Sequence, residues 1–218
     1  MTTATVGVIS STGPDIAEIQ AHVDRDIEAT LATLPDPAYL SPGARRGIIA
    51  RYAAVLEGNF IYWMTGAYVA ARSDEARAKI IDNLREEIRD CHPGMMRRFA
   101  VAAQAVPGEE DAAAVYRSMT DVRLFIGRLE AVPTVVAMAF FEGFIQRFMA
   151  YLAGLAVRQG SAELEYTDVH GVCDVTHTQE LFRALEAELA LAPAVPPQQM
   201  YEGVRLLRTL IQTIVAGN

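Results

Sequence analysis

The sequence predicts an all-α, single-domain helical bundle, and three observations lead to this prediction. Apolar residues recur at the 3.6-residue spacing of amphipathic helices along most of the chain. The alternating Val, Ile and Thr runs and the Asn-Gly or Asp-Gly turns of β-hairpins are missing. With 218 residues, 51% of them hydrophobic, the chain can bury one sizeable core, and no stretch is long enough to link two domains. We therefore expect a helical domain over residues 12–218, after a disordered tail over residues 1–11.

Seven or so helices are expected, because proline, glycine and capping residues interrupt the apolar pattern. Ser41 followed by Pro42 is typical of a helix start, and Ser73 is a second candidate N-cap. Pro93 disfavours helical geometry at the residue before it and so predicts a break at His92. The predicted segments cover residues 15–34, 41–71, 73–91, 95–105, 109–128, 131–157, 161–191 and 198–215.

Charge and composition exclude several classes of protein. The formal net charge of −8 repels nucleic-acid phosphates and anionic lipid, so we expect neither as a partner. The chain has two cysteines, too few for a disulfide framework, which favours a reducing, cytoplasmic location. The most apolar stretch, residues 131–157, contains Glu142 and Arg147 near its middle, where a membrane span tolerates charge least. It predicts a buried core helix.

Three polar residues share one face of a predicted helix. His170, Asp174 and His177 follow the spacing i, i+4 and i+7, which places their side chains on the same side over two turns. Imidazole and carboxylate groups in such a set can bind a metal ion. A solvated polar face is an equally good interpretation of this segment by itself.

Two glutamates lie within strongly apolar runs. Glu57 and Glu142 each have several apolar neighbours on both sides and a glycine directly after them. An ionised carboxylate in such surroundings costs several kcal/mol unless a cation or hydrogen bonds compensate it. We expect a metal ion near both, the alternative being a buried ion pair with an arginine such as Arg51 or Arg147.

A third segment adds a glutamate and a histidine, Glu87 and His92, at the end of a predicted helix. The candidates then comprise four carboxylates and three imidazoles, more than one zinc ion requires and suited to two divalent ions, for which iron is the natural choice. The seven candidate ligands are Glu57, Glu87, His92, Glu142, His170, Asp174 and His177.

These residues resemble those of the haem-oxygenase-like diiron oxidases, a seven-helix family that shares its fold with thiaminase-like and pyrroloquinoline-quinone-synthase-like proteins. The resemblance covers residues 56–182 and is most specific in the Asn-Leu-x-x-Glu turn, the His-Pro that follows it, and the His-x3-Asp-x2-His motif. It implies one iron held by Glu57, His92 and His177, and a second held by Glu87, His170 and Asp174, with Glu142 bridging or binding as the second metal loads. Only four residues separate Glu87 from His92, so Glu86 and Asp90 remain alternatives to Glu87.

The resemblance also implies chemistry with Fe(II) and O2. We expect oxidation of a small amino-acid-derived substrate in specialised-metabolite biosynthesis, with no catalytic residue beyond the metal ligands. An external electron donor and a homodimer are possible partners. One alternative is oxidative decarboxylation of a medium-chain fatty acid to a terminal alkene, and another is a metal-free helical protein that binds a ligand or works without a cofactor.

Four further residues are candidates for binding the substrate. Arg123 lies in an apolar run and could bind a substrate carboxylate, although a surface arginine whose stem covers apolar atoms explains it somewhat better. Tyr62, Trp63 and Phe144 lie within two turns of proposed ligands. They could line the substrate pocket or belong to the core.

Overall fold

Nine helices make up the regular secondary structure of the residues that the structure describes. The computed structural model describes residues 15–191 and 195–217. The predicted tail over residues 1–11 lies outside them, as does Pro193, between the last two predicted segments. The prediction of an all-α bundle is confirmed. The helices are α1 Ile16–Leu31, α2 Pro42–Ala70, α3 Asp74–Arg89, α4 His92–Ala102, α5 Glu109–Ile126, α6 Ala131–Arg158, α7 Glu165–Leu189, α8 Pro197–Met200 and α9 Glu202–Ala216.

The capping residues that the sequence suggested do begin helices. Ser41 Oγ accepts a hydrogen bond from the Ala44 backbone N–H at 3.1 Å, and Pro42 occupies the first turn of α2. Ser73 Oγ accepts one from the Ala76 N–H at 3.3 Å at the start of α3. These oxygens satisfy backbone donors that have no partner within the helix.

Two helix starts differ from the prediction by a few residues. The break before α4 falls at Cys91, which has the left-handed φ of 56°, so His92 already belongs to α4. Pro93 then occupies the first turn, where its missing N–H costs nothing. Helix α7 begins at Glu165 instead of Ser161, because Ser161 Oγ accepts the Glu163 N–H at 3.2 Å in a tight turn.

Helix α2 contains a break that the sequence analysis did not predict. Glu57 has ψ 96° and Gly58 has φ 86°, both outside the helical range. The Asn59 side chain bridges the break, since its Nδ2 donates to the Val55 carbonyl oxygen at 2.6 Å. Arg123 of α5 holds that amide in place by donating from Nε to Asn59 Oδ1 at 2.7 Å.

Helix α6 forms the centre of the bundle and packs on α1, α2, α7 and α9. It is the one described helix that is long and apolar enough to cross a membrane, but 78% of its most apolar window is buried against the other helices. Phe140, Phe144 and Phe148 stack along it with ring centroids 5.1–6.3 Å apart. The prediction of a buried core helix over this stretch is confirmed.

Candidate metal centre

Six of the seven predicted ligands meet where α3, α4, α6 and α7 pack together. All six are buried, with no more than 5% of any residue exposed. The shared face predicted on α7 is confirmed, because its three residues all point inward. The six residues are Glu87, His92, Glu142, His170, Asp174 and His177.

Three of them, Glu87, His92 and His170, form what we call the first donor group. Glu87 Oε1 lies 2.7 Å from His92 Nδ1 and 3.9 Å from His170 Nε2. The two imidazole rings meet edge to face with centroids 4.5 Å apart. One possible ligand atom of each residue lies within 4.8 Å of those of the other two.

The second donor group consists of Glu142, Asp174 and His177. His177 Nδ1 lies 3.6 Å from Asp174 Oδ1 and 3.8 Å from Glu142 Oε1. Cys173 Sγ borders this group, 3.2 Å from Asp174 Oδ1. The structure thus pairs His92 with Glu87 and His177 with Asp174, whereas the resemblance places both histidines on the same iron.

Neighbouring groups orient the donors. His170 Nδ1 lies 2.8 Å from the Tyr166 carbonyl oxygen, which can only accept, so Nδ1 carries the proton and Nε2 is free to bind a cation. Asn83 Nδ2 donates to Glu142 Oε1 at 2.7 Å. Glu86 Oε2 accepts from His177 Nε2 at 2.9 Å.

The electrostatics favour uptake of positive charge. Burial, together with the nearby Asp174 carboxylate, raises the pKa of Glu142 well above its usual value. Burial lowers the pKa of His177, but the nearby Asp174 carboxylate, the charge of Glu142 and the hydrogen bond to Glu86 outweigh it and raise that pKa to about 10. Burial also lowers the pKa of His92, but the hydrogen bond to Glu87 outweighs burial, so the pKa of His92 is raised. Without a metal, the centre therefore retains protons, as expected of a site short of positive charge.

The residues fit divalent metal ions. Asp174 Oδ2 and His177 Nδ1 are buried and have no hydrogen-bond partner among the described residues. Two atoms that bind the same ion at about 2.1 Å each lie at most about 4.2 Å apart. The separations of Glu87 from the two histidines of its group, and of His177 from Asp174 and Glu142, meet this limit. A cavity of about 20 Å³ adjoins the donors, and none of the described residues lining it is a lysine or arginine. Imidazole and carboxylate donors in this number suit iron.

Glu57 lies outside this cluster, which corrects the expectation that it is buried. Its carboxylate is partly exposed and pairs with Arg97 of α4, because the break at Gly58 interrupts the helical course of α2. The alternative of an ion pair with an arginine holds for Glu57, but the pair is not buried and its partner is neither arginine suggested, since Arg51 donates to the carbonyl oxygen of Ile214 and Arg147 pairs with residues of α1. Its role as a ligand stays a prediction from the resemblance.

The structure distinguishes the three carboxylates near the end of α3 that could be the metal ligand. Glu87 is buried within the first donor group, and Glu86 lies at the edge of the cluster beside His177. Asp90 is exposed and pairs with Arg89. Glu87 is therefore the carboxylate that this geometry places among the donors.

The predicted substrate-binding residues do not line the cavity beside the donors. Arg123 donates to Asn59, and Tyr62 is about half exposed. Trp63 and Phe144 lie in the core, where Trp63 packs on Phe141 and Phe144 stacks on Phe148.

Apolar and aromatic residues that the sequence analysis missed form the wall instead. Helical spacing could have found three of them, because Met96 follows His92 by four positions, Ile145 follows Glu142 by three, and Tyr166 precedes His170 by four. The missed wall residues are Leu56, Phe60, Ile61, Pro93, Met96, Ile145 and Tyr166.

Comparison with known proteins adds one relationship. Residues 49–210 match the profile of a haem-oxygenase-like family described as iron-containing redox enzymes. The matched range includes both donor groups and the seven missed wall residues. A search of curated proteins finds no match.

Proposed function

Because the chain belongs to the haem-oxygenase-like family of iron-containing redox enzymes, we propose that it is a nonhaem diiron oxidase or oxygenase. An oxidoreductase role follows from the family. The finer proposal is that the chain uses two Fe(II) ions and O2 to oxidise a small amino-acid-derived substrate. An external donor would return the electrons that the reaction consumes.

The two buried donor groups carry this proposal. The first would hold one iron through Glu87 and two histidines, and the second would hold another through Glu142, Asp174 and His177. Carboxylates and imidazoles that project inward from facing helices are the usual ligands of paired iron in helical bundles. When bound, the iron ions would supply electrons to O2 and the oxidising power to break a substrate C–H or N–H bond.

The surrounding side chains prepare the centre for this chemistry. The Tyr166 carbonyl fixes the His170 tautomer, and Asn83 fixes the orientation of the Glu142 carboxylate. Leu56, Phe60 and Ile145 cover the donors with apolar surface. This wall excludes bulk water, which strengthens electrostatic interactions inside the site and limits side reactions.

Iron binding tests the proposal directly. We expect anaerobic titration of the metal-free chain with Fe(II) to give two irons per chain and to raise its unfolding temperature, because a ligand that binds only the folded state stabilises it. Asp174→Asn should lower the affinity of at least one iron by about ten-fold or more. Asp168→Asn, on the exposed side of the same helix, is the control and should bind two irons.

Oxygen consumption by the ferrous chain then separates the alternatives. We expect a pool of amino acids to accelerate it and fatty acids to leave it unchanged. Acceleration by fatty acids alone would support the alkene-forming decarboxylase instead. A chain that takes up no iron would contradict the diiron proposal and favour the metal-free binding protein.

A further inference from the structure

A second cavity borders the metal centre, between α2, α4 and the segment that follows α4. It has a volume of about 200 Å³, and Met96 forms a wall that it shares with the cavity beside the donors. Its other apolar lining includes Ala53, Ala100, Val101 and Val106, and the ion pair of Arg97 with Glu57 also lines it. We call it the Arg97 cleft.

On the basis of the proposed function, we propose that the Arg97 cleft binds the substrate, a small carboxylate with an apolar chain such as an apolar α-amino acid. Arg97 binds the carboxylate, and the chain extends toward Met96 and the metal centre.

The walls of the centre indicate this direction of approach. A groove of about 510 Å³ between α3 and α7 also borders the cluster, where His177 and Asn83 line it. Neither can move aside without disturbing the second donor group, since His177 belongs to it and Asn83 holds Glu142. On the side of the Arg97 cleft the barrier is Met96, an unbranched thioether that readily changes its rotamer.

Arg97 already binds a carboxylate in this structure. Its Nε and a terminal nitrogen both contact Glu57 Oε1, and a guanidinium presents these donors in the geometry that carboxylates require. The Arg97 and Glu57 side chains are 64% and 39% exposed, so the pair is weak and exchangeable. Glu57 also lies next to the Gly58 break, where a change in its ψ can redirect the carboxylate without unfolding α2.

The apolar lining and the volume define the rest of the ligand. Val101 and Val106 are both more than half exposed, and an apolar chain lying over them would release water from their surfaces. Pockets for drug-sized ligands measure about 300–1,000 Å³. The Arg97 cleft is smaller, which favours a chain of a few carbons over a medium-chain fatty acid.

Calorimetric titration with L-norleucine tests this inference, on both the metal-free chain and the anaerobic Fe(II)-loaded chain. We expect binding that weakens about ten-fold or more in Arg97→Gln, because a charge-assisted hydrogen bond is lost. Arg98→Gln is the matched control, since Arg98 is the next residue of α4 and pairs with Glu165 outside the cleft. L-Norleucinol, which lacks the carboxylate, should bind no better to the wild-type chain than L-norleucine binds to Arg97→Gln.

Three results would overturn the inference: no binding of L-norleucine to either form, equal binding by Arg97→Gln and the wild type, or tighter binding of dodecanoate than of L-norleucine. Iron is counted in the same samples, which keeps the two proposals separate. Two irons with Arg97-independent binding would reject the cleft and leave the diiron proposal standing. Arg97-dependent binding by a chain that takes up no iron would support the cleft and reject the diiron proposal.

Discussion

Glu142 is a buried carboxylate that the surrounding apolar side chains disfavour. It is 1% exposed, and its hydrogen bond from Asn83 does not offset the burial that raises its pKa. Such a residue lowers the stability of the metal-free chain, and a bound cation would remove that penalty. Its presence in the core is therefore better explained by ligand binding than by folding.

Glu142→Gln separates the cost of Glu142 to the stability of the metal-free chain from its contribution to metal binding. We expect the free energy of unfolding of the metal-free chain, measured in urea at pH 7, to rise by about 1 kcal/mol. Glutamine enters the core neutral, whereas the glutamate must either be buried ionised or take up a proton on folding, and Asn83 keeps an acceptor. The same variant should bind Fe(II) more weakly. Glu186→Gln, at an exposed position of α7, should change neither quantity, and a clear loss of stability in Glu142→Gln would contradict the argument.

Glu188 shows that a buried glutamate can also serve the fold alone. It is 1% exposed, and its Oε1 accepts the backbone N–H groups of Arg72 and Ser73 at 2.8 and 2.7 Å. It thus satisfies donors at the start of α3 from the far end of α7. Burial of a carboxylate does not by itself identify a metal ligand. What identifies one is its position beside other buried ligand atoms that have no hydrogen-bond partner.

At the scale of the element, α2 combines a long helix with a break beside the metal centre. Gly58 takes a positive φ that costs other residues about 1–2 kcal/mol, and the Asn59 amide replaces a main-chain hydrogen bond there. The break exposes Glu57 and brings it to Arg97. The local conformation of two residues thus decides which side of α2 carries a carboxylate.

We expect Gly58→Ala to lower the free energy of unfolding by about 1 kcal/mol, because a Cβ is strained at φ 86°. Gly43→Ala provides the comparison, since Gly43 lies in the first turn of the same helix with open space around it. It should leave stability unchanged or raise it by about 0.5 kcal/mol. Urea unfolding of both variants measures the difference. Equal free energies of unfolding would show that the break in α2 at Gly58 does not persist in solution.

At the scale of the molecule, α9 packs closely against α5 and α6. Gly203 of α9 lies where a Cβ would come within 2.6 Å of side-chain atoms of Phe125 and Ala137, which belong to α5 and α6. Only glycine lets these three helices approach so closely. Since α6 also carries Glu142, this junction helps to set the position of a donor.

Gly203→Ala should therefore destabilise the whole chain by about 2 kcal/mol, since an extra methyl overpacks a tight interface. Thermal unfolding followed by circular dichroism measures it. Gly154→Ala, in α6 where the nearest atom is 4.0 Å away, should be neutral or slightly stabilising. A similar stability in both variants would show that packing at Gly203 does not limit how closely the helices approach.

Much of the fold and of the centre could be predicted from local sequence. The caps Ser41 and Ser73 act within three residues of their partners, so short-range pattern suffices to find them. The inward face of His170, Asp174 and His177 follows from helical periodicity alone. Contacts between distant segments could not be derived this way: Arg123 meets Asn59 across 64 positions of the chain, and no local spacing encodes that distance.

The sequence by itself determined the helical class, the main helix starts and most of the candidate ligands, because these depend on periodicity, on capping chemistry and on the cost of burying charge. The tertiary structure alone decided that the donors fall into two groups, that Glu57 faces Arg97, and that Met96, Ile145 and Tyr166 line the cavity. The physical reason is that these arrangements depend on how helices pack and on the backbone break in α2, where a change of a few dihedral angles moves a side chain from the centre to the surface.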